Sequence, residues 1–397
     1  MKQLFDALDL IAKHTPDKVW EYTELVSLEG RIAAESIDSP SFYPAKDKSL
    51  RDGIAFAADS DLSRPLIVCE DLAAEEKTGR ILKKGEAVRL STGSYLPEGA
   101  DTVVPVEKLS FDGNTVTVHT DVLRGDYIEK KGAVFVKGDR VLTEGSIIDM
   151  WHIETLASLR INNVRTLRLP RVGILSTGSE ITWRFSSRRG EGIINSNFYA
   201  VSAFLSRLKT PHSYLGVAKD ERKNLAAHLS SGINNFDALI TFGGTAKGRY
   251  DLMESVVCEE LGGKVIIDNV MVSPGRTFRF AKIGDTPVFI LPGTPAAALI
   301  CTELFFAVWL MASTGFEWRK ALRNCRVGFN KEKKEGFHKI IPVLCTVDDN
   351  GILTTQTRSR KESPLRGQRS GLLVAGAELT SLAPGDLCQI FIPQDYF

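Results

Sequence analysis

From residue 171 onward the chain alternates short apolar runs with stretches of helical periodicity, and the runs end in glycine- or proline-rich loops. RVGILST (171–177), DALITF (237–242) and PVFIL (287–291) have the length of buried strands. NFYAVSAFLSRL (197–208) and DLMESVVCEELGG (251–263) have helical spacing. This alternation predicts a parallel sheet covered by helices, with ligands at the carboxyl ends of its strands.

The flanking regions have a different texture. Residues 1 to about 170 and those after about 325 consist of short β-like runs separated by many turn residues. SRKESPLRGQRS (359–370), in the second of these regions, is rich in cations and turn formers. We therefore expect a β-rich N-terminal part and a small C-terminal β domain around the α/β centre.

Charge and cysteine content exclude several classes of protein. The chain has 50 basic and 49 acidic residues, so broad binding to nucleic acid or to a membrane is not expected. Its six cysteines form no CxxC pair, which argues against a zinc or iron–sulfur site. Isolated buried thiols in a reducing cytoplasm are the simplest interpretation.

Neither apolar segment is expected to enter a membrane. MKQLFDALDLIAKH, at the N-terminus, carries acids inside its apolar stretch and predicts an amphipathic helix, not a signal peptide. AAALICTELFFAVWLMA (296–312) is short for a membrane span and contains Glu303. We predict that it is a helix buried against the sheet.

The loop TFGGTAKGRYD (241–251) has the glycine spacing of a P-loop but not its Lys-Ser/Thr pair, because Arg249 and Tyr250 stand there. Two glycines between a strand and a helix still allow an anion to approach free backbone N–H groups. They are equally compatible with a simple turn. Two roles are likewise left open for Asp251: it caps the helix, or it is a carboxylate that holds Mg²⁺.

Four further loops combine glycine or proline with polar residues: LSTGSYLPEGAD (90–101), STGSE (176–180), SPGRTF (273–278) and LPGTP (291–295). Together with RDGIA (51–55), GIINSNFYAVSAFL (192–205) and the 241–251 loop, and in this order, they resemble the molybdopterin molybdenumtransferase family, the MoeA-type proteins related to the gephyrin E domain. The similarity covers nearly the whole chain.

The resemblance implies an elongated, four-part subunit with a central MogA-like α/β domain, a β-rich N-terminal insertion and a small C-terminal β domain. The implied parts are 1–45 with 140–170, 46–139, 171–325 and 326–397. It also implies a cytoplasmic homodimer with molybdopterin adenylyltransferase or molybdoenzyme apoproteins as partners.

The implied activity is insertion of molybdate into adenylylated molybdopterin with release of AMP, assisted by Mg²⁺. The family's catalytic residues match Asp52, Thr92, Glu180 and Asp251, of which Glu180 and Asp251 would hold the metal. Asp52 and Thr92 would face Glu180 and Asp251 of the partner subunit. The expected substrate-binding residues are Gly243, Gly244, Thr245, Gly248, Asn195, Ser196, Arg276, Pro292 and Pro295. Arg276 and the cations of 358–369 are expected to attract molybdate.

The chain also departs from the family pattern. Serines before and after the glycine pair are replaced by Phe242 and Ala246, while Lys247 and Arg249 add charge to that loop. The molybdate segment of the C-terminal domain has no clear equivalent, with Ser359 the nearest match. The other departures are Ile54, Val134, Ser179, Ser273, Thr277 and Thr294. They raise an alternative hypothesis, a non-catalytic paralogue that binds a pterin or a protein as a scaffold.

Overall fold

The structure, a computed structural model, describes residues 1–72, 79–182, 192–243, 250–347, 351–358 and 369–393, without the side chains of Tyr250, Asp251 and Arg369. The chain divides into two compact units. One consists of Met1–Val19 with Leu167–Phe397, and the other of Trp20–Thr166. The four-part division is finer than this and stays a prediction.

A six-stranded sheet forms the centre of the first unit. Four of its strands run parallel to one another, as the alternating pattern predicts, and the last two pairings are antiparallel. In spatial order the strands are His212–Ala218, Val172–Thr177, Ala238–Phe242, Thr286–Leu291, Arg279–Ile283 and Lys264–Asp268.

The sheet therefore departs from the predicted parallel arrangement at one edge. Arg279–Ile283 is joined to Thr286–Leu291 by only two residues, Gly284 and Asp285, and so short a connection can link only antiparallel strands. Gly284 has a φ of 59°, a value that glycine adopts readily. The turn thus reverses the strand that precedes it.

Helices cover both faces of this sheet. The predicted N-terminal helix is present and buries Leu4, Ala7, Leu8 and Ile11 against one face. The helices are Leu4–Ala12, Ser196–Arg207, Arg222–Asn235, Tyr250–Ser255 continued by a π-helical turn at Val256–Glu260, and Pro295–Cys301 continued through a π-helical turn at Thr302–Phe306 into Ala307–Ser313.

The helical stretch 295–313 is long and apolar enough to cross a membrane by length and composition, but 78% of its most apolar window is buried inside the protein. Phe305, Phe306 and Trp309 are fully buried there with aromatic residues of the sheet. Burial against the sheet confirms the prediction that this segment is a core helix. Burial also raises the pKa of the Glu303 carboxyl, although positive charges on Arg207 and Arg358 oppose the shift.

The C-terminal part of the first unit is a closed β-sheet, as predicted in outline. Closure arises because His338–Val347 pairs with strands on both of its sides, Leu353–Thr357 and Arg369–Ala375. Val272–Ser273, from the α/β part, adds to the same strand in parallel. The remaining strands here are Leu322–Val327, Lys331–Glu332, Ser381–Leu382 and Leu387–Phe391.

The second unit, Trp20–Thr166, is built on another six-stranded sheet. Its strand order is Thr102–Pro105, Gly53–Phe56, Glu86–Leu90, Leu66–Leu72, Thr115–Val118 and Leu109–Asp112. The one longer helix that the structure describes here, Met150–Ser158, is capped by Asp149, whose carboxylate accepts from the backbone N–H groups of Trp151 and His152. Shorter strands occupy Trp20–Glu24, Ile37–Asp38, Lys48–Ser49, Ile128–Glu129, Arg140–Leu142 and Asn163–Leu167.

All six cysteines are free thiols. Cys301, Cys325 and Cys345 are buried, whereas Cys258 is exposed, so the expectation of buried thiols is only partly met. Burial raises the pKa of Cys325 to about 12, which keeps this thiol protonated and unreactive at neutral pH.

Candidate functional site

A cleft opens at the carboxyl ends of two central strands, Val172–Thr177 and Ala238–Phe242. After the first strand the chain turns toward the edge strand His212–Ala218, and after the second it continues to the opposite side of the sheet. Such a switch point leaves a crevice between the diverging loops, where ligands of open α/β sheets bind. The cavity there measures about 660 Å³. Its lining includes Ser176, Thr177, Glu180, Asn195, Ser196, Asn197, Asp220, Phe242, Gly243, Thr277, Pro292, Gly293, Thr294 and Pro295.

The reversed strand Arg279–Ile283 explains why the 273–278 loop reaches the cleft. This loop precedes its strand, whereas the other cleft loops follow theirs. Because the strand runs antiparallel to Thr286–Leu291, its first residue lies at the same edge of the sheet as the carboxyl ends of the parallel strands. Thr277 consequently lines the cavity.

At Gly243 the backbone passes close to the end of the neighbouring strand. Its φ is 91°, and an added Cβ would lie 2.7 Å from Thr177 Oγ1 and 2.8 Å from the Thr177 carbonyl oxygen. Thr177 Oγ1 in turn donates a hydrogen bond to the Phe242 carbonyl at 2.9 Å. Only glycine fits this junction between the two strand ends, so the first glycine of the 243–244 pair has a structural requirement of its own.

Asn195 fixes the start of the helix Ser196–Arg207 against the sheet. Its Oδ1 accepts from the Phe198 N–H at 3.2 Å, and its Nδ2 donates to Ser176 Oγ at 2.7 Å and to the Tyr214 hydroxyl at 2.9 Å. The side chain is 4% exposed. Asn195 therefore positions the cleft wall, while Ser196 is exposed at the helix start and faces the cavity.

The 291–295 loop closes the other side of the cleft. Pro295 is the first residue of the buried helix, a position where its missing N–H removes no helical hydrogen bond. The carbonyl of Gly293 accepts from Asn197 Nδ2 at 2.9 Å. Two helix starts, at Ser196 and Pro295, thus lie at the cleft, and their positive dipole ends favour an anionic ligand.

Two carboxylates line the cavity, Glu180 and Asp220. Gly178, with a φ of 132°, leaves room for the first, since a Cβ there would meet Glu180 Oε1 at 2.8 Å. Asp220 was missed in the sequence, although it follows the edge strand His212–Ala218 by two residues and so ends at the ligand edge. Carboxylate oxygens are the ligands that Mg²⁺ prefers.

Several predicted residues fall outside the part of the chain that the structure describes. Gly244, Thr245 and Gly248 belong to this group, as do Ala246, Lys247, Arg249 and Ser359. Asp251 lies in the first turn of the helix Tyr250–Ser255, but its side chain is outside the description. Within the described residues, no three His, Cys, Asp or Glu side chains form a group that could hold a metal.

Arg276 does not line the cleft. It is exposed at a separate cavity of about 290 Å³, which it shares with Lys334 and Lys339, and its guanidinium lies 5.6 Å from the centre of the Phe337 ring. Gly275, with a φ of 108°, allows the loop to pass Cys301, whose Sγ would lie 2.7 Å from an added Cβ. The structure thus separates Arg276 from the other predicted substrate-binding residues that it describes.

In the second unit the structure brings Asp52 and Thr92 together. Asp52 Oδ1 accepts from the Thr92 backbone N–H at 2.6 Å and from its hydroxyl at 2.9 Å. These two bonds stabilise the carboxylate and hold the pKa of Asp52 below its usual value. Both residues are exposed, so the pair is a preformed, accessible anionic group.

Two departures from the family pattern lie in the protein interior. Ile54 is 0% exposed and Phe242 is 3% exposed. Phe242 packs with the core of the α/β part and also lines the cleft. By contrast, Val134 is 48% exposed. The departures from the family pattern are therefore not confined to exposed loop positions.

Comparisons with known proteins agree with this geometry. A model described as the MoeA N-terminal region (domain I and II) matches residues 2–159, and one described as a probable molybdopterin binding domain matches residues 173–312. A molybdopterin molybdenumtransferase from Nostoc sp. is 31% identical over 74% of this chain and 69% of its own length. One from Bacillus subtilis is 31% identical over 74% of this chain and 72% of its own.

The crystal structure of a molybdopterin biosynthesis MoeA protein from Pyrococcus horikosii has a TM-score of 0.78, with 26% identity and 98% coverage of both chains. The two family models together cover most of both units, and the solved structure matches nearly the whole chain. The chain therefore belongs to the molybdopterin molybdenumtransferase family, the MoeA-type proteins of molybdenum cofactor biosynthesis.

Proposed function

We propose that this enzyme inserts molybdate into adenylylated molybdopterin and releases AMP. One observation carries the proposal: the switch-point cleft joins the close backbone approach at Gly243 with two helix starts and two carboxylates. This combination suits a phosphate-bearing ligand whose anhydride bond must be broken.

Within the cleft, each wall has a separate task. The backbone at Gly243 lets the phosphate oxygens approach, and the helix start at Ser196 stabilises their charge. Pro292, which is buried, and Pro295 hold the opposite loop rigid, so the ligand is oriented between fixed walls.

Mg²⁺ fits the donor set of the cleft, since Glu180 and Asp220 supply oxygen ligands there. With Asp251, at the start of the helix that follows the 243–249 loop, they are the residues that would hold it. When bound, the ion neutralises charge on the phosphate oxygens.

Molybdate, a tetrahedral dianion, is assigned to the cavity at Arg276. Arg276, Lys334 and Lys339 supply positive charge around it, and Ser273, Pro274 and Gly275 also line it. Arginine and lysine together match a small oxyanion by charge and by hydrogen bonding.

We assign the Asp52–Thr92 pair to the cleft of a partner subunit in a homodimer. Support comes from the resemblance and from the exposure of both residues, which leaves the pair free to meet a second chain. Six free thiols suit a cytoplasmic location. Molybdopterin adenylyltransferase and molybdoenzyme apoproteins are the partners that such a reaction needs for supply and delivery.

The test is AMP release from adenylylated molybdopterin with Mg²⁺ and molybdate, in which wild type is compared with Glu180→Gln. We expect release to fall by about 100-fold or more, because a cleft carboxylate is lost. Glu332→Gln, at an exposed strand of the C-terminal part, is the control and should match wild type.

Equal rates for wild type and Glu180→Gln would contradict the role of Glu180. A wild type that binds molybdopterin without releasing AMP would instead favour the scaffold hypothesis. The relatives are named transferases, which does not favour that alternative.

A further inference from the structure

Asn197 carries an unused hydrogen-bond acceptor in the wall of the cleft. It is the second residue of the helix Ser196–Arg207, lines the cavity and is 8% exposed. Its Nδ2 donates to the Gly293 carbonyl at 2.9 Å, while its Oδ1 is buried without a hydrogen-bond partner.

The orientation of this amide follows from its partner. A carbonyl oxygen only accepts, so the nitrogen of Asn197 must face Gly293 and the oxygen must face away. The free end is therefore an acceptor that requires an N–H or O–H donor.

Such an atom is uncommon, because buried polar groups are almost always paired. Within the described residues, the unpaired buried side-chain atoms belong to Arg31, Asn197, Thr241 and His338. Of these four residues only Asn197 lines the cleft. The atom that lacks a donor thus belongs to a residue of the cleft, where a ligand is expected.

We propose that Asn197 Oδ1 accepts a hydrogen bond from an N–H or O–H group in the organic part of the ligand, which makes Asn197 a specificity-determining residue of the cleft. The inference rests on the proposed function. Phosphate and molybdate are acceptors at neutral pH, whereas the pterin, the adenine ring and the ribose hydroxyls all donate. The bond is therefore made to the pterin or to the nucleoside, not to the anionic part of the substrate.

The same amide couples recognition to loop position. Asn197 holds Gly293, and a Cβ at Gly293 would lie 3.5 Å from the Gly243 Cα. The 291–295 loop thus abuts the phosphate-binding backbone. A ligand that completes the hydrogen bonding of Asn197 also fixes the two loops against each other.

The experiment is equilibrium titration of the full-length protein with molybdopterin and, separately, with AMP. Asn197→Leu keeps the side-chain size and removes both the acceptor and the donor to Gly293. Loss of the loop anchor alone would weaken both ligands alike, and that outcome would count against the inference. Asn235→Leu is the matched control, since Asn235 also donates to one backbone carbonyl, that of Ser231 at 2.8 Å, and does not line the cleft. Thermal melting verifies that each variant is folded, and Asn197→Ala replaces the leucine variant if that one is not.

We expect Asn197→Leu to weaken one of the two ligands by about tenfold or more, and Asn235→Leu to leave both unchanged. The weakened ligand identifies which half of the substrate donates, the pterin or the nucleoside. Unchanged binding of both ligands to Asn197→Leu overturns the inference and leaves the proposed function intact. Equal weakening by both substitutions also overturns it, and a wild type that binds neither ligand removes the proposed function together with the inference.

Discussion

The cleft at Gly243 and the Asp52–Thr92 pair both place a loop against a threonine, but different forces fix the two contacts. At Gly243 the contact depends on the absence of a side chain, since Thr177 is 7% exposed and leaves no room for a Cβ. At Asp52 it is made by hydrogen bonds on an exposed surface. The cleft should therefore be sensitive to side-chain size, and the Asp52 pair to charge and pH.

The largest effect is expected from Phe242→Ser, which introduces the residue of the family pattern. Phe242 is buried in the core beside the cleft, so its loss should lower the free energy of unfolding by about 3–5 kcal/mol. Urea unfolding followed by circular dichroism measures this. Phe111→Ser in the second unit, where Phe111 is 38% exposed, should cost about 1 kcal/mol or less. Similar losses for both would show that the cleft wall is not densely packed.

An intermediate effect is expected from Gly243→Ala compared with Gly93→Ala. The two glycines have similar φ values, 91° and 86°, but a Cβ at Gly93 meets nothing within 4 Å. Backbone strain alone should destabilise Gly93→Ala by about 1–2 kcal/mol. Collision with Thr177 should raise the loss for Gly243→Ala to about 2–4 kcal/mol. Equal losses, measured by urea unfolding, would refute the difference between the two regions.

The smallest effect is expected from Asp52→Asn, and it should depend on pH. Because the hydrogen bonds from Thr92 lower the pKa of Asp52 in the folded protein, they stabilise the fold above the ordinary value of 3.8. That contribution is lost as the pH falls through the lower folded-state pKa. The Tm difference between wild type and Asp52→Asn should therefore be small at pH 7 and vanish under strong acid.

Thr92→Val removes the hydroxyl donor but keeps the backbone N–H, and so should give part of the same dependence. A Tm difference that grows toward low pH would contradict the assignment of the shift to these bonds.

Sequence patterns predicted the strands that are buried along their whole length. Val172–Thr177 and Ala238–Phe242 are buried along their whole length, and their apolar runs predicted them. Arg279–Ile283 was missed because it begins with a charged residue. Arg279 is nevertheless 7% exposed, since its guanidinium pairs with Asp268 and Glu254. Local composition does not reveal an ion pair with other segments of the chain. Because the strand was not predicted, its antiparallel direction was not predicted either.

Site residues were predictable where they belong to a sequence motif. They were not predictable where only the order of the strands brings them together. The family resemblance assigned Asp52 and Thr92 to one site through two motifs, and the structure adds the contact between them. Asp220 had no motif of its own, and the segment 192–205, which contains Asn197, gave no sign of the contact that Asn197 makes. Asn197 meets Gly293, 96 residues further along the chain, only because the order of the strands places their loops side by side.

The two-residue turn at Gly284 and Asp285 has a practical consequence. Both residues are exposed, and the six-residue strand Thr286–Leu291 separates them from the cleft by about 20 Å. Exposed turns tolerate inserted sequence. An affinity peptide or a fluorophore attached here would tether the enzyme to a surface with its cleft turned toward the solution, so that ligand arrival could be recorded on single immobilised molecules.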